Sequence, residues 1–304
     1  MSMKRFVGFI LILVGVVFFI QYQFGGSGGK STDYDKTWTF DNNELQELAI
    51  TTDSMGLDVK FVKSTDGSNA VRIAGRAKED IVDNVKSTKL EDGRLDIDLN
   101  GKWHWGWSFT EFRSSEQTVT VSLTDEAAQQ LKALNISGDS SSVKVTGAAA
   151  LNGSIKTDSG SIRLENYEGE GLSVKSDSGS IRLDDYKGDT LSIKSDSGSI
   201  QAENVHAELK AVSDSGSITI DRLTGEAEIS TDSGRIQLAK ADDKGATVKS
   251  DSGSVRIEVP ASYGGAYDLD SDSGSVREPD QQGTSGEVIK VRTDSGSIRV
   301  EQGQ

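Results

Sequence analysis

The feature that most constrains the fold is a repeated Asp-Ser-Gly triplet. Eight copies recur through the second half of the chain at spacings of 19, 19, 18, 18, 19, 21 and 22 residues. Their Asp and Gly residues are Asp158 and Gly160, Asp177 and Gly179, Asp196 and Gly198, Asp214 and Gly216, Asp232 and Gly234, Asp251 and Gly253, Asp272 and Gly274, and Asp294 and Gly296. Since a fixed period of this length marks repeat architectures, the chain is expected to stack copies of one unit.

Alternating apolar residues flank each triplet and indicate the side-chain directions. Around Asp196, for example, Leu191 and Ile193 precede the triplet and Ile200 follows it. Residues two positions apart point to the same face of a strand. One unit cannot bury that face by itself, whereas stacked copies with parallel strands form a continuous core. The sequence therefore predicts an all-β fold, a single-stranded parallel β-helix (β-solenoid) with rungs of about 19 residues.

We interpret the triplet as a turn between two strands of a rung. The Asp can accept hydrogen bonds from backbone N–H groups just downstream, and the Gly can adopt a positive φ. The Ser or Thr before every Asp is expected to add a ladder of hydroxyl groups. On this interpretation the last triplet, Asp294 to Gly296, lies in the terminal rung and has a neighbour on one side only.

An apolar segment near the N-terminus predicts a membrane anchor. Residues 6–24 begin with Phe-Val-Gly-Phe-Ile-Leu and, as a helix, would span roughly 28 Å, close to the ~30 Å of a hydrocarbon core. Lys4 and Arg5 precede it, which predicts that residues 1–5 are cytoplasmic and that the rest is exported. A cleaved signal peptide is the alternative, although no small-x-small cleavage site follows the segment.

The exported part divides into three stretches. Residues 25–30 are Gly-Gly-Ser-Gly-Gly-Lys, a composition typical of a flexible linker. Residues 31–133 alternate like strands but lack the regular triplets, which predicts irregular opening rungs or an N-terminal β cap. Within them, a short helix is expected from Thr124 onward, with Thr124 or Asp125 as its cap. Residues 134–304 carry the regular solenoid repeats.

Charge and cysteine content exclude several classes of function. The formal net charge is −15, and because residues 1–30 contain three basic side chains and no acidic one, the remainder carries −18. Such a body is repelled by phosphate backbones, so nucleic acid is not expected as a partner. The chain has no Cys, which excludes disulfides, thiolate metal sites and a Cys nucleophile.

Four aromatic residues form a second conspicuous pattern. Trp103, Trp105, Trp107 and Phe109 alternate with small or polar residues, so an extended segment would place all four rings on one face. One interpretation is that the rings seal the open end of the solenoid core. The other is that they are exposed and contact a ligand, either by stacking on sugars or by lying in a membrane interface.

No pattern in the sequence indicates catalysis. The two histidines, His104 and His206, are far apart and neither has a nucleophile motif beside it. A catalytic pair would distinguish one rung, whereas the triplet Asp recurs in eight. Stacked carboxylates could attract Ca²⁺, but the Gly-Gly-x-Gly-x-Asp pattern of calcium-binding β-rolls is absent. We therefore expect neither an enzyme nor a cofactor or metal site.

The apolar anchor, the Gly-rich linker and the chain of Ser-Asp-Ser-Gly-Ser-Ile units together resemble the bacterial β-strand-repeat "putative adhesin" family. Within it, the chain is most similar to LiaG-type membrane-anchored members, which occur beside genes of the envelope-stress response. The resemblance implies a parallel β-helix, right-handed, exposed outside the cytoplasmic membrane. It implies no enzyme, no cofactor and no established ligand.

Two functions are compatible with these observations. The first is a non-enzymatic, membrane-anchored extracytoplasmic protein of the cell envelope or of the envelope-stress response. It would contact the cytoplasmic membrane through residues 6–24 and would bind an envelope protein or a cell-wall polymer. The second is an adhesin or polysaccharide-binding surface protein that uses the aromatic face from Trp103 to Phe109.

Overall fold

The structure, a computed structural model, describes residues 31–101, 116–280 and 283–303. The predicted anchor at 6–24 and the linker at 25–30 lie outside the described residues. Strands dominate the rest, and two short helices occur near the N-terminal end. In the part of the chain that the structure describes, neither helix has the length and apolar character needed to cross a membrane.

The N-terminal region combines strands with both helices. Its strands are β1 (Ser31–Phe40), β2 (Glu47–Thr52), β3 (Leu57–Lys63), β4 (Asn69–Lys78), β5 (Leu90–Glu91), β6 (Arg94–Asp98) and β7 (Gln117–Leu123). Its helices are α1 (Glu79–Ser87) and α2 (Asp125–Ala128). Thr124 caps α2 as expected, because its Oγ1 accepts a hydrogen bond from the backbone N–H of Ala127 at 3.2 Å.

In the described residues of the repeat region, every regular element is a strand. They are β8 (Ala133–Gly138), β9 (Val143–Thr146), β10 (Asn152–Thr157), β11 (Ile162–Glu168), β12 (Gly171–Ser176), β13 (Ile181–Ser195), β14 (Ile200–Ser213), β15 (Ile218–Thr224), β16 (Ala227–Ser233), β17 (Ile236–Lys240), β18 (Ala246–Ser252), β19 (Val255–Val259), β20 (Ala266–Ser273), β21 (Val276–Arg277), β22 (Val288–Ser295) and β23 (Ile298–Gln302).

The strands before and after the triplets form two parallel ladders. The first runs in the order β6, β2, β8, β10, β12, β13, β14, β16, β18, β22, β20. The second runs β7, β3, β9, β11, β13, β14, β15, β17, β19, β23, β21. Equivalent residues pair across rungs, as Ile162 does with Ile181 and Ile181 with Ile200. The all-β, solenoid-like architecture is therefore confirmed, while its handedness stays a prediction.

The core consists of the alternating apolar residues that the repeat pattern predicts. In the rung of Asp177, Leu172 and Val174 before the triplet and Ile181 and Leu183 after it are all buried. Because each apolar side chain lies over its copy in the next rung, the core is continuous along the stack. Burying a Leu, Ile or Val side chain contributes about 1.5–3 kcal/mol, so every rung adds to the stability of its neighbours.

The order of rungs is reversed at both ends of the stack. At the C-terminal end, β22 pairs with β18 on one side and with β20 on the other. The rung of Asp294 is therefore interior and the rung of Asp272 is terminal, so the expectation that Asp294 and Gly296 end the stack is wrong. The 21- and 22-residue spacings around Asp272 provide the extra chain for this exchange. At the N-terminal end, β2 likewise lies between β6 and β8.

An antiparallel sheet caps the N-terminal end. β4 pairs with β7 of the outermost rung and with β1 on its other side. The hydroxyl of Tyr34 donates to Oε1 of Gln117 at 2.6 Å, and the indole N–H of Trp38 donates to the carbonyl of Thr88 at 2.9 Å. Helix α1 buries Val82 and Val85 against this end. The described part of residues 31–133 thus combines rungs of the stack with a cap.

Candidate functional site

The triplet turns are organised around a buried column of hydroxyl groups. Thr157, Ser176, Ser195 and Ser213, which precede successive triplets, are buried. Oγ of Ser176 accepts a hydrogen bond from the N–H of Gly179 at 2.9 Å, and the same bond recurs at Ser195. Thr157 also donates to Oγ of Ser176 in the next rung at 3.2 Å. In these four rungs the hydroxyl holds the turn, in a role the sequence interpretation had assigned to the Asp. The hydroxyls of Thr231, Ser250 and Thr293 are buried but make no hydrogen bond among the described residues.

The triplet positions require glycine because the backbones of neighbouring turns lie too close together to leave room for a side chain. Of the eight, all described, only Gly234 has a positive φ, and at 158° it is nearly extended. A Cβ on Gly198 would instead collide with the backbone carbonyl of Gly179 in the rung below, and the collision recurs at the other copies. The expectation of positive φ is therefore wrong, because these glycines let neighbouring turns approach within a distance that excludes any side chain.

The triplet aspartates lie on the surface beside the hydroxyl column. Asp177 and Asp196 are half-buried, whereas Asp158, Asp214, Asp232, Asp251, Asp272 and Asp294 are exposed. The Nζ of Lys175 lies 2.9 Å from Oδ1 of Asp177, and the pKa of Asp177 is lowered by this hydrogen bond. Lys194 lies 3.5 Å from Asp196 in the same arrangement. The aspartates thus form an acidic column that lysines two residues earlier partly neutralise.

A second charged surface covers the ladder after the triplets. Arg163 donates to Glu165 at 2.6 Å and Arg182 to Asp184 at 3.1 Å, while Lys144 reaches Glu165 from the preceding rung at 3.2 Å. The hydrogen bond from Arg163 is the main reason that the pKa of Glu165 is lowered. A basic and an acidic column therefore run side by side through the rungs of Lys144, Arg163 and Arg182 and pair both within and between rungs. Beyond them the basic positions are taken by Gln201, Thr219 and Gln237.

A third column forms a corner that the sequence interpretation missed. Asn166, Asp185, Asn204 and Arg222 all have φ between 53° and 62°, a conformation that Asn and Asp tolerate better than most residues. Nδ2 of Asn204 donates to Oδ1 of Asp185 at 2.8 Å, which links consecutive rungs. The recurrence of Asn or Asp four residues after the first apolar position of the second strand is the signal that could have identified it.

This corner borders a shallow groove of about 290 Å³. Its rim carries Glu168, Lys187 and His206, which occupy equivalent positions in successive rungs. The hydrogen-bond donors and acceptors of the groove are therefore spaced one rung apart. They do not converge on a single point.

One buried charge also departs from the repeat. Lys240 occupies the inward column that holds Leu223 in the rung before it. Its Nζ lies 2.8 Å from Asp242 and donates to the carbonyl of Gly225, and burial lowers its pKa. Because the ion pair and the carbonyl satisfy it inside the stack, Lys240 belongs to the core.

The residues considered for catalysis and metal binding do not converge in the part of the chain that the structure describes. His206 is exposed on the groove rim, and no group of three or more His, Cys, Asp or Glu side chains within residues 31–101, 116–280 and 283–303 is placed to hold a metal ion. His104 lies outside the described residues. So do Trp103, Trp105, Trp107 and Phe109, which fall between β6 and β7 of the outermost N-terminal rung.

Comparisons with known proteins place the chain in a family. The model of the Toastrack DUF4097 family matches residues 45–301. No curated protein matches the sequence.

Solved structures with similar folds accompany the family match. A "putative lipid binding protein" from Parabacteroides distasonis is 18% identical, with a TM-score of 0.50 over 88% of this chain and 96% of that one. A "putative adhesin" from Bacteroides fragilis is 14% identical, with a TM-score of 0.46 over 90% and 98%. Another "putative adhesin" from Parabacteroides distasonis is 12% identical, with a TM-score of 0.38 over 89% and 98%. At 18% identity, the likeness to the first of these structures concerns the fold alone.

Proposed function

Because the chain belongs to the Toastrack DUF4097 family, we propose that it is a non-enzymatic binding protein of the bacterial cell envelope. It is anchored in the cytoplasmic membrane through residues 6–24, as in LiaG-type members, with residues 31–304 on the outer side. There it binds an envelope protein or a cell-wall polymer and serves the envelope-stress response.

The observation that carries this proposal is the arrangement of polar groups in columns. The Lys175 and Asp177 pair recurs as Lys194 and Asp196, and the Arg163 and Glu165 pair recurs as Arg182 and Asp184. Chemistry on a substrate needs a few groups that converge on one reacting atom. Groups repeated along a stack instead suit an extended ligand that is contacted at many equivalent points.

The position of the cap supports tethering at one end. β1 begins at Ser31, directly after the predicted anchor and linker, and it belongs to the antiparallel sheet at the N-terminal end. An anchor at 6–24 would hold this capped end near the membrane. The C-terminal end of the stack would then be the part farthest from it.

Topology is tested by adding protease to intact cells from which the wall has been removed. We expect residues 31–304 to be degraded while a small N-terminal fragment survives. In the matched control, moving Lys4 and Arg5 to the far side of the apolar segment should weaken or invert the orientation. Protection of the whole chain in the unaltered protein would contradict the proposal.

The binding role is tested by cross-linking in intact cells, followed by identification of the captured molecules. The matched variant is Arg182→Glu with Asp184→Arg, which keeps the ion pair but exchanges the two columns at one rung. We expect an envelope protein or a wall polymer to be captured by the natural chain and to be captured less by the variant, at unchanged thermal stability. Equal capture by both would show that this charged surface is not used.

An adhesin or polysaccharide-binding role for the aromatic face is the alternative. Trp105→Ala with Trp107→Ala separates it from the first proposal in a pull-down on isolated cell walls with the full-length chain. Loss of binding in this double variant, with binding kept in the Arg182 and Asp184 exchange, would favour the aromatic face. Unchanged binding would eliminate it.

A further inference from the structure

The outer edge of the C-terminal rung is unfilled. Among the described residues, β20 pairs with β22 alone and β21 with β23 alone. Val276 of this rung is 40% exposed, whereas its partner Ile298 in the next rung is 1% exposed. Leu269 is likewise half-buried although its partner Val291 is fully buried. The rung therefore presents both a free strand edge and core side chains that a further rung would cover.

Backbone hydrogen bonds can extend the ladder at this edge. The N–H of Ala266 donates to the carbonyl of Glu287 at 2.9 Å, so the backbone groups of Ala266 face β22. In a parallel ladder, successive residues of an edge strand turn their backbone groups alternately to the partner and away from it. The N–H and C=O groups of Leu269 and Ser271 therefore point outward, and such an edge is a template for another strand.

Charge decides which strand can pair there. Residues 266–280 contain five acidic side chains and one basic, a formal charge of −4, whereas the equivalent residues 288–302 contain two acidic and three basic, a charge of +1. Asp268, Asp270 and Asp272 alternate along β20 and are exposed. Two such edges placed together would oppose like charges, which disfavours pairing with a second copy. Head-to-tail stacking is blocked because the cap covers β7 at the other end.

The strand already seated on the inner side of β20 indicates the complementary chemistry. In β22, the buried residues Ile289 and Val291 alternate with Lys290 and Arg292. Nη2 of Arg292 donates to both carboxylate oxygens of Asp268 at 2.7 Å, and Nζ of Lys290 lies 3.9 Å from the same group. A strand that alternates apolar and basic side chains therefore fits β20 in two ways. Its apolar side chains continue the buried core, and its basic side chains lie beside the aspartates of β20.

We propose that the outer edge of β20 and β21 is a docking site for an extended segment of a partner protein in which apolar residues alternate with Lys or Arg. The segment adds one rung to the stack, covers Leu269 and Val276, and sets its basic side chains beside Asp270 and Asp272. The inference rests on the proposed binding role but is independent of the anchor.

The test uses the purified full-length chain in neutral detergent and a fluorescent peptide, Val-Ile-Lys-Val-Arg-Thr, with the sequence of residues 288–293. Fluorescence anisotropy should show saturable binding that weakens as salt is added. The control peptide replaces its Lys and Arg by Glu and should bind at least about tenfold more weakly, which corresponds to the loss of one or two charge pairs. Because the assay needs no membrane, its failure is separable from failure of the topology experiment.

Two variants locate the site. Asp270→Lys should weaken binding of the basic peptide by about tenfold or more, whereas Asp251→Lys, at an exposed Asp of a rung with neighbours on both sides, should change it less than about twofold. Leu269→Pro removes an outward N–H and should abolish binding. If that variant does not fold, as judged by its thermal melt, Asp270→Lys decides alone.

Three results would overturn the proposal. One is equal binding of the basic and acidic peptides, and another is equal weakening by Asp251→Lys and Asp270→Lys. The third is a concentration-dependent dimer of the natural chain, seen by sedimentation, that Asp270→Lys strengthens or Leu269→Pro abolishes. That dimer would make a second copy the occupant.

Discussion

The two ends of the stack share the same exchange of rung order, but the N-terminal end is capped and the C-terminal end is left as an open strand edge. At each end the outermost rung is not the first or last one in sequence. β2 lies inside the stack between β6 and β8, and β22 lies inside it between β18 and β20. The N-terminal end is then closed by β1, β4 and α1, whereas β20 and β21 are left as an edge. Repeat proteins need terminal units that shield the core from water. A stack that shields one end and exposes the other has one end available for contacts.

Glycine substitutions give the largest expected contrast. A Cβ on Gly296 would collide with the carbonyl of Gly253, in a rung held between two neighbours. We expect Gly296→Val to lower the free energy of unfolding by about 3 kcal/mol or more. Gly274→Val collides in the same way with Gly296, but its rung can move outward, so we expect about 1–2 kcal/mol. Denaturant titrations measure both, and a milder effect at Gly296 would contradict the reversed rung order.

Substitution of one leucine in each outermost rung compares how well the two ends are shielded from water. Leu95 of β6 is fully buried, whereas Leu269 of β20 is half-buried. Leu95→Ala should cost about 2–3 kcal/mol, because it leaves a cavity beneath the cap. Leu269→Ala should cost about 1 kcal/mol, because water already reaches the site. Similar losses at both positions in a denaturant titration would mean that the C-terminal end is as well closed as the N-terminal end.

Alkaline pH is expected to destabilise both ends. Burial raises the pKa of Tyr34 in the cap, and it raises the pKa of Tyr263 near the open end to about 12. Each hydroxyl therefore ionises more readily in the unfolded chain, whose Tyr pKa is about 10. Stability is fully present below pH 10 and falls as the pH rises from there toward 12. Unfolding free energies measured from pH 8 to pH 11 should show this fall.

Phenylalanine variants measure how much of that loss comes from each of these two tyrosines, beside the contribution of Tyr167 and Tyr186 in the interior rungs, whose pKa values burial also raises. Tyr34→Phe and Tyr263→Phe should each make the decline with pH shallower, because each removes one ionising group. A decline that is identical in both variants and in the natural chain would show that neither tyrosine is responsible.

Calcium should have the smallest effect. The triplet aspartates form a column that ends in the acidic C-terminal rung, but lysines neutralise part of it. We expect the unfolding temperature in millimolar calcium and in chelator to differ by less than about 1 °C. A larger stabilisation would show that the native acidic column binds the ion, and Asp270→Asn would then test whether the open end holds it.

Local regularity explains what could be predicted from the sequence. The burial of Ile162 and Leu164 follows from alternation, and their pairing with Ile181 and Leu183 follows from a period of 19. The roles within the turn were less predictable. Both the Asp and the hydroxyl before it can accept a backbone hydrogen bond, and only the burial of Ser176 shows which one does.

The ends could not be predicted, because rung order depends on contacts distant in sequence. Residues 266–277 and 288–302 carry nearly the same pattern, so either could pair with β18 and β19. The longer spacings permit an exchange without requiring it. The corner of Asn166, Asp185 and Asn204 was missed because single Asn and Asp residues are also common in ordinary turns.

The reversed order at the C-terminal end also constrains the sequence of events by which the chain folds during synthesis. Because the chain is synthesised from its N-terminus, the edges of β18 and β19 cannot pair with their final partners until residues 288–302 have been made. The rung at 266–277, although made earlier, can take its place only after them. Growth therefore cannot proceed as a simple zipper from first rung to last. A polypeptide that stops before Val288 lacks the strands β22 and β23 on which β20 and β21 lie in the finished fold, so the native order of rungs is reached only after residues 288–302 have been made.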